Sequence, residues 1–164
     1  MATEADVSER LKEEITRCAQ DFNYFARYLR IVDKKGRLIP LEPNEVQQQF
    51  LQDIEENPWT YVLKARQLGL TTIIAARNIW KVLFRPNYKV AVLAHRGDSA
   101  QVIFEIYKRY YENLPDFLQF PTNKSNVREL AFFHGGLIRV MTAQSEGARG
   151  TTYQGLHCSE FAFW

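Results

Sequence analysis

Two kinds of hydrophobic pattern follow one another along this chain. Short runs rich in β-branched and aromatic residues predict strands at 59–63, 88–94, 127–133, 137–143 and 153–160. Longer runs with apolar residues three or four positions apart predict helices at about 43–56, 73–83 and 99–113. Strands that alternate with helices favour an α/β sheet, in which ligands bind at the carboxyl ends of the strands.

The first part of the chain predicts one amphipathic helix, capped at Ser8 and ending near Leu29, that packs on the outside of the core. Two short extended pieces, 29–32 and 37–39, follow around a turn. We expect Asp98 or Ser99 to cap the helix at 99–113. His134-Gly135-Gly136 predicts the turn of a β-hairpin, and 118–126 reads as irregular.

The loop from Lys64 to Thr72 joins the first predicted strand to a helix that opens on two threonines. Such a loop can bind phosphate, because backbone N–H groups and the positive end of the helix dipole converge there. Against the pattern G-x-x-x-x-G-K-[ST], Gly69 matches the second glycine and Thr71 the metal-binding hydroxyl. Lys64 replaces the first glycine and Leu70 the lysine. An ordinary strand-to-helix turn with solvated basic residues is the alternative.

Two further features fit a nucleotide site. Gln47 lies on the helix that precedes the loop, and its amide could pair with adenine; a good helix former on a wet face is the alternative. Ser159 and Glu160 end the last predicted strand, where nucleotide hydrolases hold magnesium and orient water.

Composition narrows the class of protein. A chain of 164 residues with 46% hydrophobic residues can bury one sizeable core, and a net charge of +2 does not by itself indicate nucleic acid. The two cysteines, Cys18 and Cys158, lack metal-ligand spacing and fit a reducing compartment. No apolar run is long enough to cross a bilayer, so we expect no membrane partner.

Taken together, these motifs resemble the ATPase domain of phage large terminases, the DNA-packaging motors of tailed bacteriophages. The likeness covers residues 40–164, with 1–39 as an N-terminal helix and extended segment packed on them. It depends on motifs that occur in the order found in that family: Gln47, Lys64-Ala-Arg-Gln-Leu-Gly-Leu-Thr-Thr72, Ala148-Arg-Gly-Thr151 and His157-Cys-Ser-Glu-Phe-Ala162.

The resemblance implies a P-loop NTPase fold of the RecA-like kind. This fold would have a mostly parallel sheet flanked by helices, a β-hairpin insertion and a sheet that is incomplete at its C-terminal end. It implies ATP and Mg²⁺ as cofactors. The implied ATP-binding residues are Gln47, Lys64, Arg66, Gln67, Gly69, Leu70, Thr71 and Thr72. Thr71 and Ser159 would hold the metal, Glu160 would be the catalytic carboxylate, and Arg149 would act as a finger in a neighbouring subunit's site.

The family's biology supplies further expectations. The implied function is ATP-driven translocation of double-stranded DNA into a procapsid by a homo-oligomeric ring, with the portal protein and the small terminase subunit as partners. We expect the protein in the host cytoplasm, transiently on the procapsid, and we expect no nuclease domain in this stretch. Leu70 and Ser159 depart from the usual lysine and aspartate. A RecA-like helicase or translocase, or a non-hydrolysing nucleotide-binding or assembly module, therefore remain alternatives.

Overall fold

The computed structural model describes residues 4–57, 59–63, 68–142 and 150–161. The helices are α1 (Glu4–Gln20), α2 (Phe22–Ala26), α3 (Glu45–Glu56), α4 (Leu70–Phe84), α5 (Gly97–Glu112) and a 3₁₀ turn (Asp116–Leu118). The strands are β1 (Arg30–Val32), β2 (Leu38–Pro40), β3 (Lys89–Ala94), β4 (Thr122–Ser125), β5 (Glu129–Phe132), β6 (Leu137–Thr142) and β7 (Gly155–Cys158). None of the helices described is long and apolar enough to span a membrane.

Five of the strands form one mixed sheet in the order β4-β5-β6-β3-β7. β3 pairs in parallel with both β6 and β7, whereas β5 pairs antiparallel with β4 and β6. The prediction of a mostly parallel sheet is therefore not confirmed. The reason is that the predicted hairpin β5–β6 is no separate insertion: its second strand lies directly beside β3 and brings β5 and β4 into the same sheet.

The core lies between this sheet and helices α4 and α5, which contact each other and both pack on β3 and β6. Apolar side chains of β3 and β6, such as Val92 and Ile138, meet the buried rings of Tyr107 and Tyr110 from α5. The Asn78 amide of α4 donates to the hydroxyl of Tyr107 over 3.1 Å inside this core. The helices predicted at 73–83 and 99–113 are thus confirmed, but α5 begins at Gly97 after Arg96, so the predicted cap at Asp98 or Ser99 is wrong.

The N-terminal segment forms two helices where one was predicted, and it packs against α4. Asp21 ends the first helix and caps the second, its carboxylate accepting from the backbone N–H groups of Asn23 and Tyr24. Ser8 lies inside α1 and is not its cap. The indole of Trp80 on α4 donates to the carbonyl of Cys18 over 2.8 Å, which ties α1 to the core.

The strand predicted at 59–63 is absent from the structure. Trp59, Tyr61 and Leu63 are all exposed, and no described residue pairs with this segment in a sheet. β-propensity alone does not produce a strand, because the backbone needs a neighbouring strand for its hydrogen bonds. The opposite error occurred at Thr122–Ser125, which the sequence predicts as irregular and which forms edge strand β4 beside β5.

Candidate functional site

The predicted phosphate loop leads into the amino end of α4. Gly69 caps this helix in the left-handed conformation, with φ 68° and ψ 17°. Within the described part of the chain, no side chain caps the helix by a hydrogen bond, and its first turn holds no acidic residue. The free N–H groups and the helix dipole therefore make this end suitable for an anion. The roles predicted for Lys64, Arg66 and Gln67 lie outside the described residues.

The first turn of α4 divides its side chains between the site and the core. Thr71 and Thr72 are half-buried, and the hydroxyl of Tyr110 donates to the Thr72 carbonyl over 3.2 Å. Leu70, at the position of the usual lysine, is 4% exposed and belongs to the core. A cation for the phosphates cannot come from this position.

Gln47 lies between α3 and the loop. Its side-chain Oε1 accepts from the backbone N–H of Asn44 over 3.2 Å, and the Asn44 carboxamide accepts from the backbone N–H of Gln47 over 2.9 Å. Its Nε2 donates to the carbonyl of Leu68 over 3.1 Å. Gln47 thus contacts the phosphate loop directly, and the predicted contact with adenine stays a prediction.

Ser159 and the acidic residue Glu160 directly follow β7. The backbone N–H of Ser159 donates to the carbonyl of Leu93 on β3 over 2.8 Å, which continues the parallel pairing by one residue. Glu160 is exposed and has a φ of 56°, a conformation that non-glycine residues seldom adopt. Such backbone strain is often found at functional sites. Burial raises the pKa of the neighbouring Cys158 thiol, so this cysteine stays protonated near neutral pH.

Topology brings the two predicted halves of the site to the same edge of the sheet. α4 turns tightly at Arg85–Tyr88 into β3, so its amino end lies at the carboxyl end of β3, where Ser159 and Glu160 also lie. The rings of Tyr61 and Phe161 are 6.5 Å apart. The chain just before the loop is therefore close to the chain just after Glu160.

His95 is a further candidate site residue, which belongs to none of the sequence motifs. It follows Ala94 at the end of β3 and is half-buried. The bond between Ser159 and Leu93 brings it beside the end of β7. The signal that could have found it is its place directly after a buried strand, at the edge where ligands bind. Arg149, the predicted finger, lies outside the described residues.

Three side chains of the predicted site carry oxygen atoms that Mg²⁺ can use. Thr71, Ser159 and Glu160 offer oxygen atoms, the ligands that Mg²⁺ prefers, and Mg²⁺ usually takes few protein ligands and completes its shell with phosphate and water. Among the described residues there is no group of three or more His, Cys, Asp or Glu side chains that could hold a metal alone. The donor set therefore fits a metal that arrives with a nucleotide.

No protein-family model matches the chain. Among solved structures, it is similar to the large terminase of bacteriophage HK97, with a TM-score of 0.66 over 85% of this chain. The chain has a terminase-like fold. The two sequences are 16% identical, so this likeness concerns the fold and does not extend to activity. The matched part is 30% of the terminase chain, and the present sequence thus spans about a third of that protein's length.

Proposed function

We propose that this chain is the ATP-hydrolysing part of a phage DNA-packaging motor of the large-terminase type. The observation that carries the proposal is that the amino end of α4 and Glu160, whose backbone has a positive φ, both lie at the carboxyl edge of the sheet. The terminase-like fold and the order of the sequence motifs support it.

In this proposal, the backbone N–H groups from Gly69 to Thr72 and the dipole of α4 hold the β- and γ-phosphates of ATP. The hydroxyls of Thr71 and Ser159 would hold a Mg²⁺ ion, which would neutralise phosphate charge. The carboxylate of Glu160 accepts a proton from the attacking water, or orients it, in line with the γ-phosphate.

Because the usual lysine is replaced by Leu70, another residue of the loop has to provide the positive charge that binds the phosphates. Since Leu70 is buried in the core, Lys64 or Arg66 at the front of the loop supplies the cation for the phosphates. Arg149 of one subunit completes the site of the next subunit in a ring. The ring translocates double-stranded DNA into a procapsid, with the portal protein and the small terminase subunit as partners, in the host cytoplasm.

A second candidate is a nucleotide-binding or assembly module that does not hydrolyse ATP. The buried Leu70 and the serine at position 159 favour it, because both reduce the charge available to bind phosphate and metal. A RecA-like helicase or translocase remains the other enzyme of this fold type, and stimulation of turnover by procapsids would distinguish the packaging motor from it.

Turnover of Mg·ATP by the wild-type chain, by Glu160→Gln and by Glu56→Gln tests the proposal. Glu56 is an exposed glutamate at the end of α3 and serves as the matched control. We expect Glu160→Gln to lose at least about 100-fold in kcat while it still binds ATP, because only the base function is removed. Equal turnover in all three proteins would contradict the catalytic role of Glu160. ATP binding without turnover in the wild type would support the non-hydrolysing module.

A further inference from the structure

Both polar atoms of the Gln47 side chain make hydrogen bonds within the protein. The side chain is 8% exposed. Its Oε1 accepts from the N–H of Asn44, and its Nε2 donates to the carbonyl of Leu68. The first bond closes a capping box at the start of α3, and the second reaches the phosphate loop. One amide group therefore joins the beginning of α3 to the chain just before α4.

Gly69 fits against the same amide. A Cβ atom at Gly69 would lie 2.6 Å from Nε2 of Gln47, which is closer than real Cβ contacts allow. Gly69 also has the left-handed φ of 68° that favours glycine. Its carbonyl accepts from the N–H of Ile73 over 3.1 Å, the first bond of α4. Gln47 thus contacts the loop at the two residues that set where α4 begins.

Reading adenine through one glutamine requires a donor and an acceptor, one for each of two adjacent atoms on an edge of the base. In Gln47 each of these atoms already makes one bond, to Asn44 and to Leu68, and only 8% of the residue is exposed, so little of its remaining hydrogen-bonding capacity can reach a base. A base that captured them would leave the Leu68 carbonyl and the Asn44 N–H without these partners.

Among the described residues, those that line the space beside the loop are mostly apolar. A hollow of about 520 Å³ lies between α3 and the loop flank, with Val62, Leu63 and Leu68 in its wall. Its polar residues include Gln49 and Asp53, and the Gln49 amide donates to the Asp53 carboxylate over 3.0 Å. An apolar wall of this kind can pack against the face of any base.

We propose that Gln47 is a positioning residue that fixes the phosphate loop against α3, and that the site selects its ligand by the triphosphate and hardly by the base. This inference depends on the proposed nucleotide site. Loss of the Gln47 bond to Leu68 would then weaken all triphosphates equally, because the loop itself is displaced.

Calorimetric binding of Mg·ATP, Mg·GTP and Mg·tripolyphosphate tests this. The proteins are the wild type, Gln47→Ala, Gln47→Glu and Gln52→Ala, the last being an exposed glutamine on the same helix. Glutamate at position 47 can still accept from Asn44 but cannot donate to Leu68. We expect wild-type affinities for ATP and GTP within about threefold of each other, and a loss of about tenfold for all three ligands in both Gln47 variants, the size of one hydrogen bond. Gln52→Ala should match the wild type.

Two results would overturn the inference. A Gln47 variant that loses affinity for ATP but not for GTP or tripolyphosphate would show that Gln47 reads adenine. Unchanged hydrogen exchange of the Ile73 amide in Gln47→Glu would show that Gln47 does not hold the loop; we expect exchange to be about tenfold faster. This second readout needs no ligand. If the wild type binds none of the three ligands, the proposed function fails, while the exchange rate still decides the role of Gln47.

Discussion

Two regions of this molecule contain similar apolar residues, which are buried in one region and exposed in the other. In the region of α4, β3, α5 and β6, the apolar side chains are buried between helices and sheet. In the segment just before the predicted phosphate loop, at 59–63, the apolar side chains are exposed, and no described strand pairs with it. Composition alone therefore does not decide burial, because a run of apolar residues is buried only where other helices or strands cover it.

The largest contrast comes from one substitution made in both regions. Leu83 on α4 is 1% exposed, whereas Leu63 is fully exposed. We expect Leu83→Ala to lower the free energy of unfolding by about 2–5 kcal/mol, because it leaves a cavity in the core. Leu63→Ala should change it by less than about 0.5 kcal/mol. Denaturant titration followed by circular dichroism measures both, and similar losses would show that the segment at 59–63 is packed in solution.

The packed region is also where the sequence predicts most. α3 was placed correctly because its signals are local: Asn44 caps it and the helical period is clear. β3 was found because almost all its residues are apolar. The break at Asp21 was missed, since the apolar period continues through it.

Sequence and topology predict only some features of the candidate site. That Thr71 and Glu160 lie toward the same edge of the sheet follows from the order of helices and strands. The bond from Gln47 to Leu68 links residues 21 positions apart and depends on how α3 packs, so no local pattern predicts it. The prediction of a strand at 59–63 is wrong for the same reason, because strand pairing depends on tertiary structure and not on the local sequence.

Gly69 is an expected exception to the contrast between the regions, because a substitution there should reduce stability although the loop is exposed. It belongs to the exposed loop, yet its φ of 68° strains any side chain, and a Cβ there would have to displace the Gln47 amide. We expect Gly69→Ala to cost about 1–2 kcal/mol of unfolding free energy, from the left-handed backbone. Gly97, the first residue of α5, has open space around it and is the control. Thermal unfolding of the two variants should show a loss for Gly69→Ala only; equal melting temperatures would contradict the strained geometry.

At Glu160, also exposed, we expect a substitution to increase stability. Its φ of 56° is unfavourable for a glutamate and acceptable for glycine. We expect Glu160→Gly to raise the free energy of unfolding by about 0.5 kcal/mol, the relief of strain less the added entropy of the unfolded chain. Glu160→Gln keeps the backbone strain and should not gain stability, although it too loses the carboxylate. If both variants were equally stabilised, charge and not backbone strain would be the cause.

The smallest effect concerns how α1 is held on the packed side. The Glu14 carboxylate accepts hydrogen bonds from the hydroxyls of Tyr24, over 2.6 Å, and Tyr28. These bonds, the one from Tyr24 first, hold the pKa of Glu14 below its ordinary value of 4.5. A carboxylate with a lowered pKa stabilises the fold fully above the unfolded value and loses this contribution as the pH falls through the folded value. Glu14→Gln keeps acceptors for both hydroxyls without the charge, so at pH 7 we expect it to be less stable by only a few tenths of a kcal/mol. Urea titrations between pH 7 and pH 3 should show that gap closing below pH 4.5. A gap that widened on acidification would mean that Glu14 stabilises the helix packing through its protonated form.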